Sequence, residues 1–360
     1  MMRAALALAR RSLGSTWPNP AVGCVIVRDG VVVGQGRTQK GGRPHAETQA
    51  LAEAGAAAAG ATVYVTLEPC AHHGRTPPCA DALVAAGVAR VVSALEDPDP
   101  RVSGQGHERL RKAGIAVEVG EGADEAREIN AGFLLRVAEG RPLFRLKMAT
   151  SLDGRIATAS GESKWITGEA ARRDGHRLRA THDAILIGSA TAAADNPALT
   201  CRLPGMAHRS PVRIVLDSQA RLDLGSTLAT TAREVPVWLM CTNAADAGRR
   251  DALRAAGVEV MEVPATSDGR IDIPSAGRVL GERGLTRVLI EGGGQVAAAF
   301  LKAGLVDRIT SYRAGLVLGA EGRSAVGPMA LERLDFAPRF RLQSVRRLDG
   351  DTVESWTRGA

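Results

Sequence analysis

The sequence contains no apolar run that approaches the roughly 20 residues needed to cross a membrane. Its N-terminal segment, Met1 to Thr16, is interrupted by arginines and has no continuous apolar stretch, so it does not resemble a secretory signal. Only two tyrosines are present, which leaves little aromatic surface for stacking on single-stranded nucleic acid. These absences predict a cytoplasmic protein that binds neither membranes nor nucleic acid.

Disulfide bonds are also not expected, because the chain has five cysteines, an odd number for a chain of 360 residues. A reducing compartment suits such unpaired thiols. The net charge of +7 is spread along the sequence without a dense basic block. This distribution favours small phosphorylated ligands over nucleic acid as the anionic partner, and a basic solvated surface explains it equally well.

Length and composition predict two domains. At roughly 150 residues per domain, a chain of 360 residues favours two units, and Gly140-Arg141-Pro142 marks a break near residues 138–144. The predicted domains are residues 1–141 and 142–360. Strands alternate with helices in both, so the predicted fold class is α/β with layered sheets.

Hydrophobic patterning and turn residues locate the elements. In the first half, where Asp29-Gly30 predicts a hairpin, the predicted segments are helices Met2–Leu13, His45–Ala58, Ala80–Ala86 and Gly106–Ala113, and strands Val22–Arg28, Val31–Gln35, Ala61–Leu67 and Arg90–Leu95. In the second half they are helix Gly168–Arg179 and strands Leu143–Ala149, Ala184–Gly188, Val212–Leu216, Val235–Met240, Arg287–Ile290, Leu316–Leu318 and Phe340–Ser344.

His45, Cys70 and Cys79 form a candidate zinc site. A catalytic zinc site uses three protein ligands and one water molecule, and the positive ends of predicted helices near His45 and Cys79 favour thiolate charge. Glu47 lies two residues after His45, close enough to exchange protons with that water and a leaving amine without ligating the metal. A His-x-Glu followed by Pro-Cys and a second Cys is typical of zinc-dependent deaminases.

A purely structural zinc site is the alternative. Such a site needs four protein ligands, and His72 or His73 could supply the fourth. Cys24 in the first half and Cys241 in the second fit neither kind of zinc site, and we interpret both as core residues.

The loop between Cys70 and Cys79 is longer than a Cys-x-x-Cys spacing. It contains Gly-Arg-Thr-Pro-Pro-Cys, and together with His45-Ala46-Glu47 and Pro18-Asn19-Pro20 it closely resembles the deaminase of riboflavin biosynthesis. The resemblance covers nearly the whole chain and so extends to the bifunctional deaminase–reductases of that pathway. It implies a cytidine-deaminase-like α/β/α domain that binds one zinc ion, with Asn19 contacting the substrate.

The run from Val288 to Gln295 predicts a strand, a glycine turn and a helix. Glycines let a backbone approach phosphates, and a helix N-terminus presents free N–H groups to them. Gly292, Gly294 and Ala297 fit the spacing of a dinucleotide-binding turn, but the acidic ribose ligand expected about 20 residues later is absent. The pattern alone leaves a phosphate site and an ordinary helix start equally open.

The second half resembles the reductase domain of the same family in Lys147–Trp165, Asp195–Arg202 and Glu291–Gly293. This resemblance implies a dihydrofolate-reductase-like α/β fold that uses NADPH. The implied dinucleotide contacts are Ala149, Trp165, Thr191, Asp195, Ser218, Gly293, Gly294, Gln295, Val296, Ala297, Ala298 and Ala299. The implied substrate contacts are Ser163, Arg179, Leu199, Arg202 and Glu291. Arg179 and Arg202 suit a phosphate because guanidinium groups are planar, multi-donor cations. Lys147 and Asp153 are candidates for moving protons.

The reactions implied by the resemblance are hydrolytic deamination of 2,5-diamino-6-ribosylamino-4(3H)-pyrimidinone 5′-phosphate and then NADPH reduction of its ribosyl group to ribityl. We expect a homo-oligomer, either a dimer or a tetramer. One alternative is a zinc deaminase of another nucleoside or tRNA base with a non-catalytic C-terminal domain. Another is a chain in which one domain has become a scaffold. The long cysteine loop and the second domain disfavour the first, and the occupied motif positions disfavour the second.

Overall fold

The computed structural model describes residues 1–72, 77–100 and 102–359. The chain divides into two compact units, Met1–Gly140 and Arg141–Ala360. Both units are mixed α/β, as the alternation of strands and helices predicted. Within the described residues, no helix is long and apolar enough to cross a membrane.

The first unit is built on a five-stranded sheet with strand order β2-β1-β3-β4-β5. Its elements are α1 (Met2–Arg10), β1 (Gly23–Arg28), β2 (Val31–Arg37), α2 (Ala46–Ala54), β3 (Thr62–Val65), α3 (Cys79–Ala85), β4 (Arg90–Ser93), α4 (Gln105–Lys112), β5 (Ala116–Val119) and α5 (Ala123–Glu139). Strand β1 is antiparallel to β2 and β3, whereas β3, β4 and β5 run parallel to one another.

Helix α2 packs directly on strand β2 because two glycines leave no side chain between them. A Cβ on Gly34 would lie 2.2 Å from the carbonyl oxygen of Ala50, and one on Gly36 would lie 2.1 Å from that of Ala46. Only glycine permits such a close approach of two backbones. The first turn of α2, which carries Glu47, is therefore held against the sheet.

The second unit is built on a nine-stranded sheet of order β11-β10-β9-β8-β12-β6-β13-β16-β15. Its strands are β6 (Leu143–Thr150), β7 (Arg155–Ala157), β8 (Ala184–Gly188), β9 (Val212–Leu216), β10 (Val237–Cys241), β11 (Glu259–Glu262), β12 (Arg287–Ile290), β13 (Arg308–Arg313), β14 (Arg323–Ser324), β15 (Phe340–Leu348) and β16 (Asp351–Arg358). Its helices are α6 (Glu169–Ala180), α7 (Ser189–Asp195), α8 (Thr227–Thr230), α9 (Ala247–Ala255), α10 (Ile273–Glu282) and α11 (Gly294–Lys302).

The strands from β11 to β13 in this sheet are parallel, and only β16 and β15 are antiparallel to their neighbours. Strands β8, β9, β10 and β12 are buried along their whole length, as expected for a parallel sheet covered on both faces. Ligands of such sheets bind beyond the carboxyl ends of the strands. The segments that follow β6, β8, β9 and β12 all begin at that edge.

The helices and strands predicted from the sequence are present in the structure, although some of their ends are shifted, with the exception of one strand. Residues Leu316–Leu318 form a loop, so the strand predicted there is wrong; the neighbouring strand is β13, which ends at Arg313. The loop is fixed instead by Asp153, whose carboxylate accepts hydrogen bonds from the backbone N–H groups of Leu318 (3.1 Å) and Gly319 (2.8 Å). Helix α2 ends at Ala54, and Gly55–Ala58 forms a 3-10 turn rather than more α-helix.

Candidate functional site

Three separate elements of the first unit bring His45, Cys70 and Cys79 together. His45 is the N-cap residue of α2, Cys79 is the first residue of α3, and Cys70 lies in the segment that follows β3. His45 Nδ1 is 3.3 Å from Cys79 Sγ and 3.7 Å from Cys70 Sγ. The three potential ligand atoms lie within 4.8 Å of one another.

These separations fit a tetrahedral zinc ion. With Zn–N near 2.0 Å and Zn–S near 2.3 Å, tetrahedral ligand atoms are about 3.5 to 3.8 Å apart. The donor set, one imidazole nitrogen and two sulfurs, is one that zinc prefers. His45, Cys70 and Cys79 can therefore hold zinc with a fourth position left for water or substrate.

The electrostatics of the cluster favour a thiolate. Hydrogen bonding from Cys79, including its backbone N–H at 3.3 Å from Cys70 Sγ, lowers the pKa of Cys70 to about 4. A hydrogen bond with Cys70 in turn raises the pKa of His45. Glu47 is buried beside them, and burial together with the negative charge of Cys70 raises the pKa of its carboxyl group to about 7.

Asn19 lies close to the segment that enters the zinc cluster. A Cβ on Gly42 would lie 2.0 Å from Asn19 Nδ2, so the half-buried amide packs on the backbone three residues before His45. His72 has a buried Nδ1 with no hydrogen-bond partner among the described residues, but it does not join the three-ligand cluster. His73, the other candidate for a fourth ligand, lies outside the described residues, as do Gly74, Arg75 and Thr76 of the long cysteine loop.

Glu68, two residues before Cys70, anchors this segment through four backbone hydrogen bonds. Its carboxylate is fully buried and accepts the N–H groups of Asp97 (3.1 Å), Gly104 (3.0 Å), Gly106 (2.8 Å) and His107 (3.2 Å). Three of these donors belong to the N-terminal end of α4, which attracts negative charge. The sequence analysis did not identify Glu68, because only the fold brings its partners to it.

Gly106 brings α4 against the turn that leads to Cys70. A Cβ at Gly106 would lie 2.0 Å from the carbonyl oxygen of Pro69, which no larger residue can tolerate without a shift. Glu68 and Gly106 together fix the backbone on which Cys70 is carried.

In the second unit, a cavity of about 130 Å³ lies at the carboxyl edge of the sheet. Five of the residues predicted to contact cofactor or substrate line it: Ala149, Trp165, Arg179, Arg202 and Glu291. It is also lined by Lys147, Thr167, Ala171, Arg172, Gly175, His176 and Tyr312. Of this second group, the sequence analysis had singled out only Lys147. The others lie on α6 and β13 or just before α6, where nothing in the local pattern distinguishes them.

Arg179 and Glu291 form a bidentate ion pair in the wall of this cavity. Arg179 Nε and Nη2 each lie 2.8 Å from a carboxylate oxygen of Glu291, and Arg179 Nη1 donates to the carbonyl of Thr200 at 3.0 Å. Burial would raise the pKa of Glu291, but the charge and hydrogen bonds of Arg179 lower it to about 2. Glu291 is therefore a fixed negative charge beside the cavity.

Lys147, which also lines the cavity, is the basic group that interacts with that charge. Burial lowers its pKa, and the charge of Glu291 opposes the shift. Its Nζ lies 5.8 Å from the centroid of the Tyr312 ring, whose hydroxyl donates to Asp174 at 2.9 Å. Asp153, the other candidate for proton transfer, is exposed, binds the loop at Leu318 and does not line this cavity.

The residues predicted to contact the dinucleotide follow neighbouring strands at the same edge. Thr191, in the helix after β8, packs on the glycine turn after β12, because a Cβ on Gly292 or Gly293 would lie 3.0 or 3.2 Å from its side chain. Ser218 follows β9, the next strand along. The members of the turn and of α11 differ in exposure: Gln295 is exposed, Gly293, Gly294, Val296 and Ala299 are half-buried, and Ala297 and Ala298 are buried.

Three other residues predicted to line the site lie outside the cavity wall. Ser163 is exposed two residues before Trp165, and Asp195 is the exposed last residue of α7. Leu199 is buried, with a left-handed backbone (φ of 54°). Its side chain belongs to the apolar core between β8, β9 and α7 rather than to the cavity.

Comparisons with known proteins find relatives of both halves of the chain. Residues 1–95 match the cytidine and deoxycytidylate deaminase zinc-binding region, and residues 142–353 match the RibD C-terminal domain. The riboflavin biosynthesis protein RibD of Escherichia coli is 45% identical over 97% of this chain and 96% of its own length. A solved RibD structure from Acinetobacter baumannii is 42% identical and superposes with a TM-score of 0.89, covering 100% of this chain and 98% of that one.

A third relative comes from Thermotoga maritima, whose solved structure is described as a diaminohydroxyphosphoribosylaminopyrimidine deaminase and 5-amino-6-(5-phosphoribosylamino)uracil reductase. It is 33% identical, with a TM-score of 0.85 over 99% of this chain and 97% of that one. These matches confirm the predicted fold class, a cytidine-deaminase-like domain followed by a reductase domain of the RibD type.

Proposed function

The chain belongs to the RibD family, the bifunctional deaminases and reductases of riboflavin biosynthesis, and we propose that it acts on the diaminopyrimidine ribosyl phosphate and its deaminated product. Residues 1–141 carry the deaminase and residues 142–360 the reductase. The alternatives, a tRNA or nucleoside deaminase and a chain with one scaffold domain, are not favoured by relatives that match both halves over nearly their full length.

The deaminase assignment rests on one observation, the convergence of His45 Nδ1, Cys70 Sγ and Cys79 Sγ within 4.8 Å. These three atoms would hold one zinc ion, which lowers the pKa of a bound water molecule and so makes a nucleophile available near neutral pH. Glu47 is buried beside the ligands on a helix fixed against the sheet. Its carboxylate takes the proton of the attacking water and passes it to the departing amine.

The pyrimidine enters beside Asn19, whose half-buried amide lies next to the turn leading into His45. An amide offers both donors and acceptors, which suits the edge of an amino-pyrimidinone ring. Glu68 supports the turn that carries Cys70 by accepting hydrogen bonds from four backbone N–H groups.

The reductase half is proposed to use NADPH at the carboxyl edge of its sheet, where the dinucleotide supplies hydride to C1′ of the ribosyl group. Thr191, Ser218 and the glycine turn at Gly293 lie on neighbouring segments there. When the sugar ring opens, its ring oxygen requires a proton. Lys147 Nζ supplies that proton, and Glu291 keeps the ammonium group beside the reacting sugar.

A two-step assay tests the assignment. The purified chain is given the deaminated pyrimidine phosphate and NADPH, and oxidation is followed by absorbance; the diamino compound is then tested for ammonia release. The proposal expects both reactions. Ammonia release from a tRNA or free nucleoside, with none from the pyrimidine phosphate, would instead support the alternative deaminase.

We also propose that the enzyme is a cytoplasmic homo-oligomer, a dimer or tetramer, assembled through its C-terminal edge strand β15. All five cysteines are unpaired, which suits a reducing compartment. Strand β15 is an edge strand exposed on both faces, and nearby Phe336 and Val345 are 68% and 56% exposed. An open strand edge pairs readily with a second copy. Light scattering tests this: Val345→Glu should dissociate the oligomer, and an unchanged mass would contradict it.

A further inference from the structure

The loop that carries Asn19 is held by a helix that contributes no residue to the zinc cluster. That helix is α5 (Ala123–Glu139), the last element of the first unit. It lies beyond residues 1–95, the part of the chain that matches the deaminase zinc-binding region. Apolar packing alone would explain such a helix, so its polar contacts with the loop decide whether it has a further role.

Asn130 of α5 forms two hydrogen bonds with the backbone of a single loop residue, Ala21. Its Oδ1 accepts the N–H of Ala21 at 2.9 Å, and its Nδ2 donates to the carbonyl oxygen of Ala21 at 3.1 Å. Asn130 is only 2% exposed, so both bonds are shielded from water. Backbone groups left unpaired at this depth cost free energy. The pair is therefore a strong restraint on the loop.

Arg136, further along α5, holds the loop on the other side of Asn19. Its Nη2 donates to the carbonyl oxygen of Pro18 at 2.8 Å. The loop backbone is thus bonded to α5 one residue before Asn19 and two residues after it. With both flanks attached to one helix, the backbone of Asn19 is fixed relative to α5.

The side chain of Asn19 packs on the turn that leads to His45. A Cβ on Gly42 would lie 2.0 Å from Asn19 Nδ2 and 2.7 Å from Asn19 Cβ, and Gly42 has a φ of 84°. Glycine is required there both for space and for backbone conformation. Because this contact is so close, the place of the Asn19 amide beside the first zinc ligand depends on the position of its own loop.

We propose that Asn130 is a positioning residue of the deaminase, which through Ala21 holds Asn19 where its amide meets the pyrimidine. This inference rests on the proposed function, in which the pyrimidine enters beside Asn19. It gives α5 a role in substrate recognition in addition to its apolar packing through Ile129 and Phe133. In this role Asn130 acts through Asn19.

A double-mutant cycle tests the inference, using ammonia release from the diaminopyrimidine ribosyl phosphate by the zinc-loaded full chain. Asn19→Ala should lower kcat/KM about 10- to 100-fold, and Asn130→Ala about 5- to 10-fold. If Asn130 acts through Asn19, the double variant should stay within about twofold of Asn19→Ala alone. Zinc content should remain near one ion per chain in all three variants.

Ile129→Val is the control for a loss of stability without a change in the loop. Ile129 is the buried neighbour of Asn130 in the core of the first unit, so the variant should lower the urea midpoint and leave kcat/KM unchanged. Asn130→Asp keeps the volume of the side chain and the acceptor for the Ala21 N–H. It takes the place of Asn130→Ala in the cycle if that variant does not fold.

Losses that multiply in the double variant would overturn the inference, because Asn130 would then act independently of Asn19. Unchanged kcat/KM in Asn130→Ala would also overturn it, and loss of zinc in that variant would assign α5 to the metal site instead. If the unaltered chain released no ammonia, the deaminase function itself would be wrong. That failure differs from a normal unaltered chain with an Asn130→Ala variant of equal activity.

Discussion

Arg179 and Glu291 are 112 residues apart in the sequence, yet they form two parallel hydrogen bonds of 2.8 Å. The arginine lies near the end of α6, and the glutamate directly follows β12. Both side chains are largely removed from water, with exposures of 14% and 7%. The family resemblance predicted that both residues contact the substrate. The structure adds that they form an ion pair with each other.

Removing the arginine of this pair should leave a buried, uncompensated carboxylate. Arg179→Met is expected to destabilise the second unit by about 3 kcal/mol at pH 7. In the intact chain the pKa of Glu291 is lowered to about 2, so its contribution to stability is complete above the unfolded pKa near 4.5 and lost as the pH falls towards 2. The difference in stability between Arg179→Met and the unaltered chain should therefore shrink as the medium is acidified from pH 4.5 towards pH 2.

Urea unfolding followed by tryptophan fluorescence measures this, since three of the four tryptophans, Trp165, Trp238 and Trp356, lie in the second unit. Arg177→Met is the matched control, because Arg177 is exposed on the same helix and its pair with Asp174 is long at 3.6 Å. A difference between Arg179→Met and the unaltered chain that stays constant with pH would contradict the account.

Glu47→Gln should separate zinc binding from deamination. The amide keeps the shape of the side chain but cannot accept a proton, so ammonia release should fall by about 100- to 10,000-fold. Zinc content, measured by atomic absorption, should remain near one ion per chain. Glu53→Gln on the same helix, an exposed residue, should leave both quantities unchanged. A Glu47→Gln variant with an undiminished rate would remove Glu47 from the mechanism.

Loss of either thiolate should remove the metal and leave the reductase intact. Cys70→Ala and Cys79→Ala each delete one of three protein ligands, so both should be purified with little zinc and release no ammonia. NADPH oxidation with the deaminated substrate should continue at the rate of the unaltered chain. Cys241→Ala, in the second unit, controls for general thiol effects. Full zinc content in Cys79→Ala would show that the ligand set is wrong.

Gly106→Ala tests the backbone support of Cys70. The added Cβ would lie 2.0 Å from the carbonyl oxygen of Pro69, so the turn must shift. Because groups that orient metal ligands usually affect affinity about 10- to 100-fold, chelator competition should show weaker zinc binding by that factor. Gly350→Ala, where an added Cβ meets nothing within 4 Å, is the control. Equal zinc affinity in Gly106→Ala and Gly350→Ala would show that Glu68 and Gly106 do not position the Cys70 thiolate.

Lys147→Met should slow the reduction without preventing dinucleotide binding. The methionine keeps much of the apolar volume but supplies no proton, and a loss of about 100-fold in kcat is expected. Fluorescence titration with NADPH should give an unchanged Kd, because Lys147 is not among the residues predicted to contact the dinucleotide. Lys302→Met, at the far end of α11, is the control. A kcat within twofold of the unaltered value would exclude Lys147 as the proton donor.

Much of the architecture could be predicted because the patterns are local. The buried runs of β8, β9 and β12 and the hairpin at Asp29-Gly30 are visible in a few consecutive residues. The candidate zinc ligands could be named because His-x-Glu and Pro-Cys are short motifs. The family resemblance identified the second cysteine, at the end of a long loop, and it predicted contacts in the reductase half that remain to be tested.

The residues that were missed depend on contacts between distant segments. Glu68 finds its four donors 29 to 39 residues later, and nothing in its own neighbourhood indicates them. Arg172 and His176 follow the ordinary polar pattern of a surface helix, and only the cavity distinguishes them. The prediction of a strand at Leu316–Leu318 was wrong because a short apolar run is also compatible with a loop, and here the loop is held by a hydrogen bond to Asp153.

The most direct test of the two linked activities starts from the diamino compound alone. The zinc-loaded chain, NADPH and 2,5-diamino-6-ribosylamino-4(3H)-pyrimidinone 5′-phosphate are mixed, and ammonia and NADPH are measured in the same sample. The account predicts ammonia release followed by oxidation of an equal amount of NADPH, with both lost in Glu47→Gln and NADPH oxidation restored by adding the deaminated compound. Ammonia without NADPH oxidation, or no ammonia from a zinc-loaded and folded chain, would contradict it.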